Sequence, residues 1–179
     1  MKTPDPQTKI VTLARLLALR AEWRRQGRMV VWTNGCFDVL HVGHIRNLHA
    51  AAQQGDVLVV GINSDASVRR IKGASRPVIE QDERAELLAS LACVDCVLVF
   101  EEDTVIPVLS RLQPEIHCKG AEYAPPNGKF VPEADTVRAY GGEIRYMPQI
   151  PNRSTSEIIR RISGEVIGHS SLGKKISSQ

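Results

Sequence analysis

Thr33-Asn34-Gly35-Cys36-Phe37-Asp38-Val39-Leu40-His41-Val42-Gly43-His44 joins a short apolar run to a pair of histidines through a polar turn. The run that enters it, Met29-Val30-Val31-Trp32-Thr33, has the β-branched, apolar make-up of a strand buried inside a parallel sheet. Gly35 permits a sharp bend, and its missing side chain lets backbone N–H groups approach an anion. His41 and His44 are three residues apart at the start of a helical stretch, nearly one turn, so both imidazoles share a face. Free N–H groups and the positive end of the helix dipole lie close by, an arrangement suited to a polyphosphate.

Outward from this turn the chain alternates strand and helix. Ile10, Leu13, Leu16 and Leu17 have helical spacing and Gly27 closes the segment, which predicts an amino-terminal helix within residues 1–28. Strands are predicted at 29–33, 57–62, 96–100, 115–118 and 143–147. Helices are predicted at 42–54, from Ser64, and at 81–92, 104–112 and 133–140. Such alternation argues for an α/β domain with a Rossmann-like, doubly wound parallel sheet of about five strands and helices on both faces. Its ligand crevice then lies at the carboxyl ends of the strands, where the 33–44 turn sits. Residues 120–132, with Pro125-Pro126-Asn127-Gly128, read as an exposed loop, and a lid over substrate and an inert connector are both open. Residues 163–179, rich in Ser, Gly and Lys, are expected to form a frayed tail.

At 179 residues and 42% hydrophobic, the chain suffices for one core and is short for two domains. Runs such as Val57-Leu58-Val59-Val60 are far too short to span a bilayer, and no secretion signal is visible, so a cytoplasmic protein is expected. The formal charge of +3 is small and the basic pairs alternate with acids, a pattern of solvated helix surface rather than of a nucleic-acid track. Cys36, Cys93, Cys96 and Cys118 are expected to be free thiols. The Cys93-x-x-Cys96 spacing has no second pair to complete a zinc site and reads as buried structure.

The turn resembles the Asn-Gly-x-Phe-Asp-x-x-His-x-Gly-His signature of the cytidylyltransferase-like nucleotidyltransferases. The likeness continues through Asn63-Ser64-Asp65, Lys72-Gly73 with Ser75-Arg76-Pro77, Arg84 to Asp95, Lys119-Gly120-Ala121-Glu122-Tyr123, Gly141-Gly142-Glu143 and Ser154-Thr155-Ser156-Glu157. Over residues 10–162 it is closest to the adenylyltransferase half of bacterial ADP-heptose synthase. The resemblance implies a nucleotidyltransferase domain at 29–162 and the reaction of a sugar 1-phosphate with ATP to give an ADP-sugar and pyrophosphate.

Nucleotidyl transfer needs in-line positioning and donors where charge grows, and no protein nucleophile. His41 and His44 suit that task as donors to a phosphate oxygen. Two surface histidines, or a zinc pair with Cys36, are the competing readings, and the glycine-bearing turn favours phosphate. Asp38 has two readings, a helix cap holding backbone donors and an orienter of a histidine or of magnesium on the triphosphate. By resemblance, His41, His44 and Lys72 carry the chemistry, while Thr33, Asn34, Gly35, Cys36, Phe37, Asp38, Lys119, Arg153, Ser154, Thr155 and Ser156 meet the nucleotide. Lys72, Asp65, Arg84 and Glu122 meet the acceptor. Leu87, Leu88 and Leu91 define a buried helix face, so Arg84 is expected to project off it, toward pocket or water. Lys119 and Glu122 are equally readable as a structural ion pair. Ser154 reads as the cap of a last helix, with Glu157 completing a capping box. The lead-in Pro151-Asn152-Arg153 departs from the glycine-containing one of many relatives.

The expected activity is AMP transfer from ATP to a sugar 1-phosphate such as D-glycero-D-manno-heptose 1-phosphate, with Mg2+ bound mainly through the triphosphate. A CTP-dependent enzyme acting on an alcohol phosphate such as glycerol 3-phosphate is the alternative, and a non-catalytic nucleotide-binding module is more remote. A dinucleotide-binding oxidoreductase is disfavoured, because the turn lacks Gly-x-Gly-x-x-Gly. The resemblance further implies a homodimer; a separate sugar kinase is expected to feed it, and charge and hydropathy predict no nucleic-acid or membrane partner.

Overall fold

The structure is a computed structural model, and it describes residues 5–148 and 155–164. Five parallel strands form one sheet in the order β3-β2-β1-β4-β5: β1 Val30–Gly35, β2 Val57–Asn63, β3 Cys96–Phe100, β4 Ile116–Gly120 and β5 Glu143–Met147. Around them run α1 Leu13–Arg25, α2 Val42–Ala52, α3 Asp65–Lys72, α4 Gln81–Ala89, α5 Ile106–Leu112, α6 Ala134–Ala139 and α7 Thr155–Ile162. The predicted alternation of strand and helix is borne out, with boundaries shifted by a few residues.

Side-chain alternation along the strands divides the core in two. Val30, Trp32, Val57 and Val59 face one side, where they pack with Leu16 and Trp23 of α1 and with Val108, Leu109 and Leu112 of α5. Val31, Leu58, Val60 and Ile62 face the other, against Leu48 and Ala51 of α2 and Ala85 and Leu88 of α4. Every residue of β2 is buried, as a central strand covered on both faces requires. Within it Gly61 is dictated by close approach, since a Cβ there would overlap the Trp32 indole.

The sheet winds outward from β1 through β2 to β3, and the chain then returns to the other side of β1 to form β4 and β5. The two crossovers leave β1 and β4 in opposite directions, so a crevice opens between their carboxyl ends. Thr33 beside Cys118 marks its floor, with the threonine hydroxyl donating to the Cys118 carbonyl at 3.1 Å.

Two local expectations fail. Leu87 is exposed on α4, whereas Arg84, Ala85, Leu88 and Ala89 are buried. The buried face of this helix therefore runs through Arg84, Ala85, Leu88 and Ala89 and turns away from Leu87. Gly35 ends β1 in ordinary extended pairing, and the left-handed residue of the turn is Phe37, with φ of 46°. Gly35 instead packs close to Phe37, and a Cβ there would stand 3.2 Å from the Phe37 ring.

Candidate active site

The crevice is a cleft of about 510 Å³, within the range that holds small-molecule ligands. The 33–44 turn forms one wall, Lys119, Gly120, Glu122 and Tyr123 after β4 form another, and Ile71, Lys72 and Arg76 close a third side. Thr155 and Ser156 complete the lining, and Thr155 is fastened to the turn by its hydroxyl, which donates to the Val39 carbonyl at 3.2 Å.

His41 stands at the cap position of α2, where its Nδ1 accepts from the Gly43 N–H at 3.1 Å. That bond places the proton of the neutral ring on Nε2. The His41 and His44 rings stack at 3.8 Å between centroids with 22° between planes, and Phe37 meets His44 edge-on at 5.2 Å. Burial, and then the proximity of His41, push the His44 pKa down to about 4, so the ring is neutral near pH 7. Among the described residues its buried Nδ1 has no hydrogen-bond partner.

Asp38 does not cap α2. Its carboxylate is 2% exposed and receives the Val78 N–H at 2.7 Å, the Ile79 N–H at 3.0 Å and the Arg76 guanidinium. Both oxygens are engaged, so Asp38 does not suit direct metal ligation, and it holds the 76–79 loop. Cys36 lines the cleft with its thiol pKa raised, chiefly by burial, while its carbonyl accepts from Arg84 at 2.6 Å.

Arg84 is the principal correction. It is fully buried and projects neither into the cleft nor toward water. Its guanidinium donates to the carbonyls of Ile79, Cys36 and Asn63 and to the Asp65 carboxylate at 2.6–3.0 Å. Asp65, expected at the acceptor, is thereby an internal counterion and lies outside the cleft lining. Ile79 is gripped twice, its N–H by Asp38 and its carbonyl by Arg84. The ends of β1 and β2 and the loop before α4 thus form one knot behind the cleft.

Lys119 lines the cleft but pairs with Glu133 at 2.8 Å, not with Glu122. The Glu122 carboxylate folds against Gly120, where a Cβ would overlap it. Thr33, Asn34, Gly35, Cys36, Phe37, Asp38, His41, His44, Lys72, Lys119, Glu122, Thr155 and Ser156 are thus brought together in one cleft, while Arg84 and Asp65 lie behind it. Arg153 and Ser154, with the Ser154 cap and its capping box, fall outside the described residues, as does the tail from residue 165. Sequence reasoning did not single out Arg76, Asn47, Asn63 and Tyr123 as site residues, all of which line the cleft. A signal existed for Asn63, a polar residue ending an otherwise apolar strand.

Among the described residues no group of three or more His, Cys, Asp or Glu is arranged to hold a metal, and no helix is long and apolar enough to cross a membrane.

A family model described as Cytidylyltransferase-like matches residues 32–161. The bifunctional protein HldE of Trichlorobacter lovleyi is 46% identical over 158 residues, 88% of this chain and 32% of that protein. The bifunctional protein HldE of Syntrophotalea carbinolica is 50% identical over 139 residues, 78% of this chain and 28% of its own length. This chain therefore spans about a third of the curated relatives it matches. A crystal structure of the lipopolysaccharide core biosynthesis protein from Thermoplasma volcanium is 26% identical with a TM-score of 0.55, covering 69% of this chain and 98% of that one. Pantoate-beta-alanine ligase from Francisella tularensis, at 15% identity and a TM-score of 0.53 over 91% of this chain and 81% of that one, shares the fold. With the family match spanning the strand, the histidine turn and the rest of the sheet, the chain belongs to the cytidylyltransferase-like family and is a nucleotidyltransferase.

Proposed function

We propose that this nucleotidyltransferase moves AMP from ATP to a sugar 1-phosphate, D-glycero-D-manno-heptose 1-phosphate being the favoured acceptor. The observation that carries the reading is the stacked His41–His44 pair, seated at the β1 end of a cleft of nucleotide size. Support for the acceptor comes from the extended resemblance to heptose adenylyltransferases and from the similarity to HldE proteins and to a lipopolysaccharide core biosynthesis protein.

In this reading an oxygen of the acceptor phosphate attacks the α-phosphorus of ATP, and the bond from that phosphorus to the bridging oxygen breaks as pyrophosphate leaves. The chain's residues position and stabilise. His41 offers Nε2–H as a donor from a ring fixed by Gly43, and neutral His44 supports it by stacking and adds a second imidazole. Lys72, exposed at the rim, supplies a cation where the two phosphorylated substrates meet. Magnesium arrives on the triphosphate in this proposal, since Asp38 is committed to the 76–79 loop. The phosphorylated acceptor is the product of a sugar kinase reaction, and a homodimer belongs to the same reading.

The test is pyrophosphate release with ATP or CTP against heptose, hexose and glycerol phosphates. Turnover only with ATP and a sugar 1-phosphate is the expected result. Turnover with CTP and glycerol 3-phosphate would replace this reading with the cytidylyl one.

A further inference from the structure

Two residues of β4, His117 and Lys119, are two apart on one strand and so share a face. Both reach the same atom, Oε1 of Glu133, at 3.0 Å and 2.8 Å. Glu133 is 4% exposed and stands just before α6, the position of a helix cap, yet its side chain makes no capping bond there. It turns to β4 instead.

Burial opposes ionisation of this carboxyl, but the hydrogen bonds from His117 and Lys119 outweigh it and hold its pKa near 2. His117, fully buried, has its pKa lowered by burial and is neutral, so it donates Nε2–H without adding charge. One carboxylate thus balances one ammonium. The Lys119 side chain is 12% exposed, and its nitrogen lies 4.5 Å from the centre of the Tyr123 ring. An ammonium so enclosed requires a counterion to stay in place. Glu133 provides it from behind, leaving other N–H donors of Lys119 for the cleft that Lys119 lines.

We propose that Glu133 is a positioning residue that acts through Lys119, fixing this ammonium on the β4 side of the cleft to meet an anionic group of the nucleotide. The inference rests on the nucleotide reading of the cleft given above. His117 is the neutral prop that keeps the carboxylate aimed.

The experiment measures ATP binding by titration calorimetry and pyrophosphate release on the full chain, for Glu133→Gln, Lys119→Met and the double variant. Glu133→Gln keeps the shape and removes the charge. It is expected to weaken ATP binding and raise its KM about tenfold, with kcat changed less than about threefold. Lys119→Met is expected to lose a similar factor, and the double variant no more than Lys119→Met alone. ATP binding by Glu133→Gln equal to that of the parent chain, or losses that multiply in the double variant, would overturn the role. Should Glu133→Gln not fold, Glu133→Asp keeps the charge on a shorter arm. A partial loss that disappears in the Lys119→Met background is then expected, and full parental binding would overturn the role. A parent chain that binds neither ATP nor CTP would refute the nucleotide reading itself, and this inference with it. A parent that binds while Glu133→Gln matches it refutes the positioning role alone.

Discussion

Arg84 and Lys72 are both cations near the cleft, both were expected at substrate phosphate, and the fold gives them opposite surroundings. Arg84 is fully buried behind the turn, its planar fork filled by three carbonyls and the Asp65 carboxylate. Lys72 ends α3 in the open, exposed and lining the cleft. A cation can thus serve a cleft in two ways. A guanidinium with several fixed donors knits loops together from inside, whereas a flexible ammonium at the rim remains free to follow a ligand.

The largest effect that would break this contrast is at Arg84. Arg84→Met leaves Asp65 and three backbone carbonyls without the donors of a fully buried side chain, and a loss of about 3–5 kcal/mol in urea denaturation is expected. A stable Arg84→Met protein with only a weakened acceptor KM would return Arg84 to the substrate. His44 sharpens the contrast, being largely enclosed yet facing the cleft. His44→Ala should lower kcat about a hundredfold while the ATP dissociation constant changes little, as expected of an imidazole that, in the proposed role, meets a phosphate oxygen more strongly during transfer than before it. Equal losses in binding and turnover would contradict that. Lys72→Met is the milder counterpart of Arg84→Met. The acceptor KM should rise about tenfold with the denaturation midpoint unmoved, since an exposed ammonium contributes little to folding. An unchanged KM and rate would make it plain surface charge.

The smallest effect is on acid stability. His44 titrates near 4 in the fold against 6.5 in the free side chain, so the unfolded chain takes up the proton first. The stability linked to neutral His44 is whole above pH 6.5 and is lost as pH falls toward 4. His117 acts in the same direction. Glu133, held near 2 against 4.5, adds a second loss between pH 4.5 and 2. Melting temperature followed against pH should show the first window flattened in His44→Asn. An identical profile would place the acid sensitivity elsewhere.

Much of the site was legible because its signals are local. A β-branched run, a turn and two histidines a helical turn apart lie within sixteen residues, 29–44, and their strand–turn–helix order alone puts the imidazoles at a strand's carboxyl end. What could not be read is how residues far apart in the chain satisfy one another. Arg84 meets Cys36 across 48 positions and Asp38 meets Arg76 across 38. Lys119 had an acid three residues away in Glu122 and took Glu133 instead. The α4 stripe departs from the pattern for a related reason, since leucine content points to Leu87 while Arg84 is enclosed by the knot.

Side-chain periodicity and turn chemistry act over a few residues, so the alternating α/β order, the sheet and the histidine-bearing turn at a strand's carboxyl end are set by local sequence. Which charges are enclosed, and with whom, follows from the packing of distant segments, where Arg84, Asp38 and Glu133 are supports while Lys72 stays at the rim. Desolvation is the cause: a buried charge is tolerated only where the whole fold brings its partners, and those partners come from distant segments.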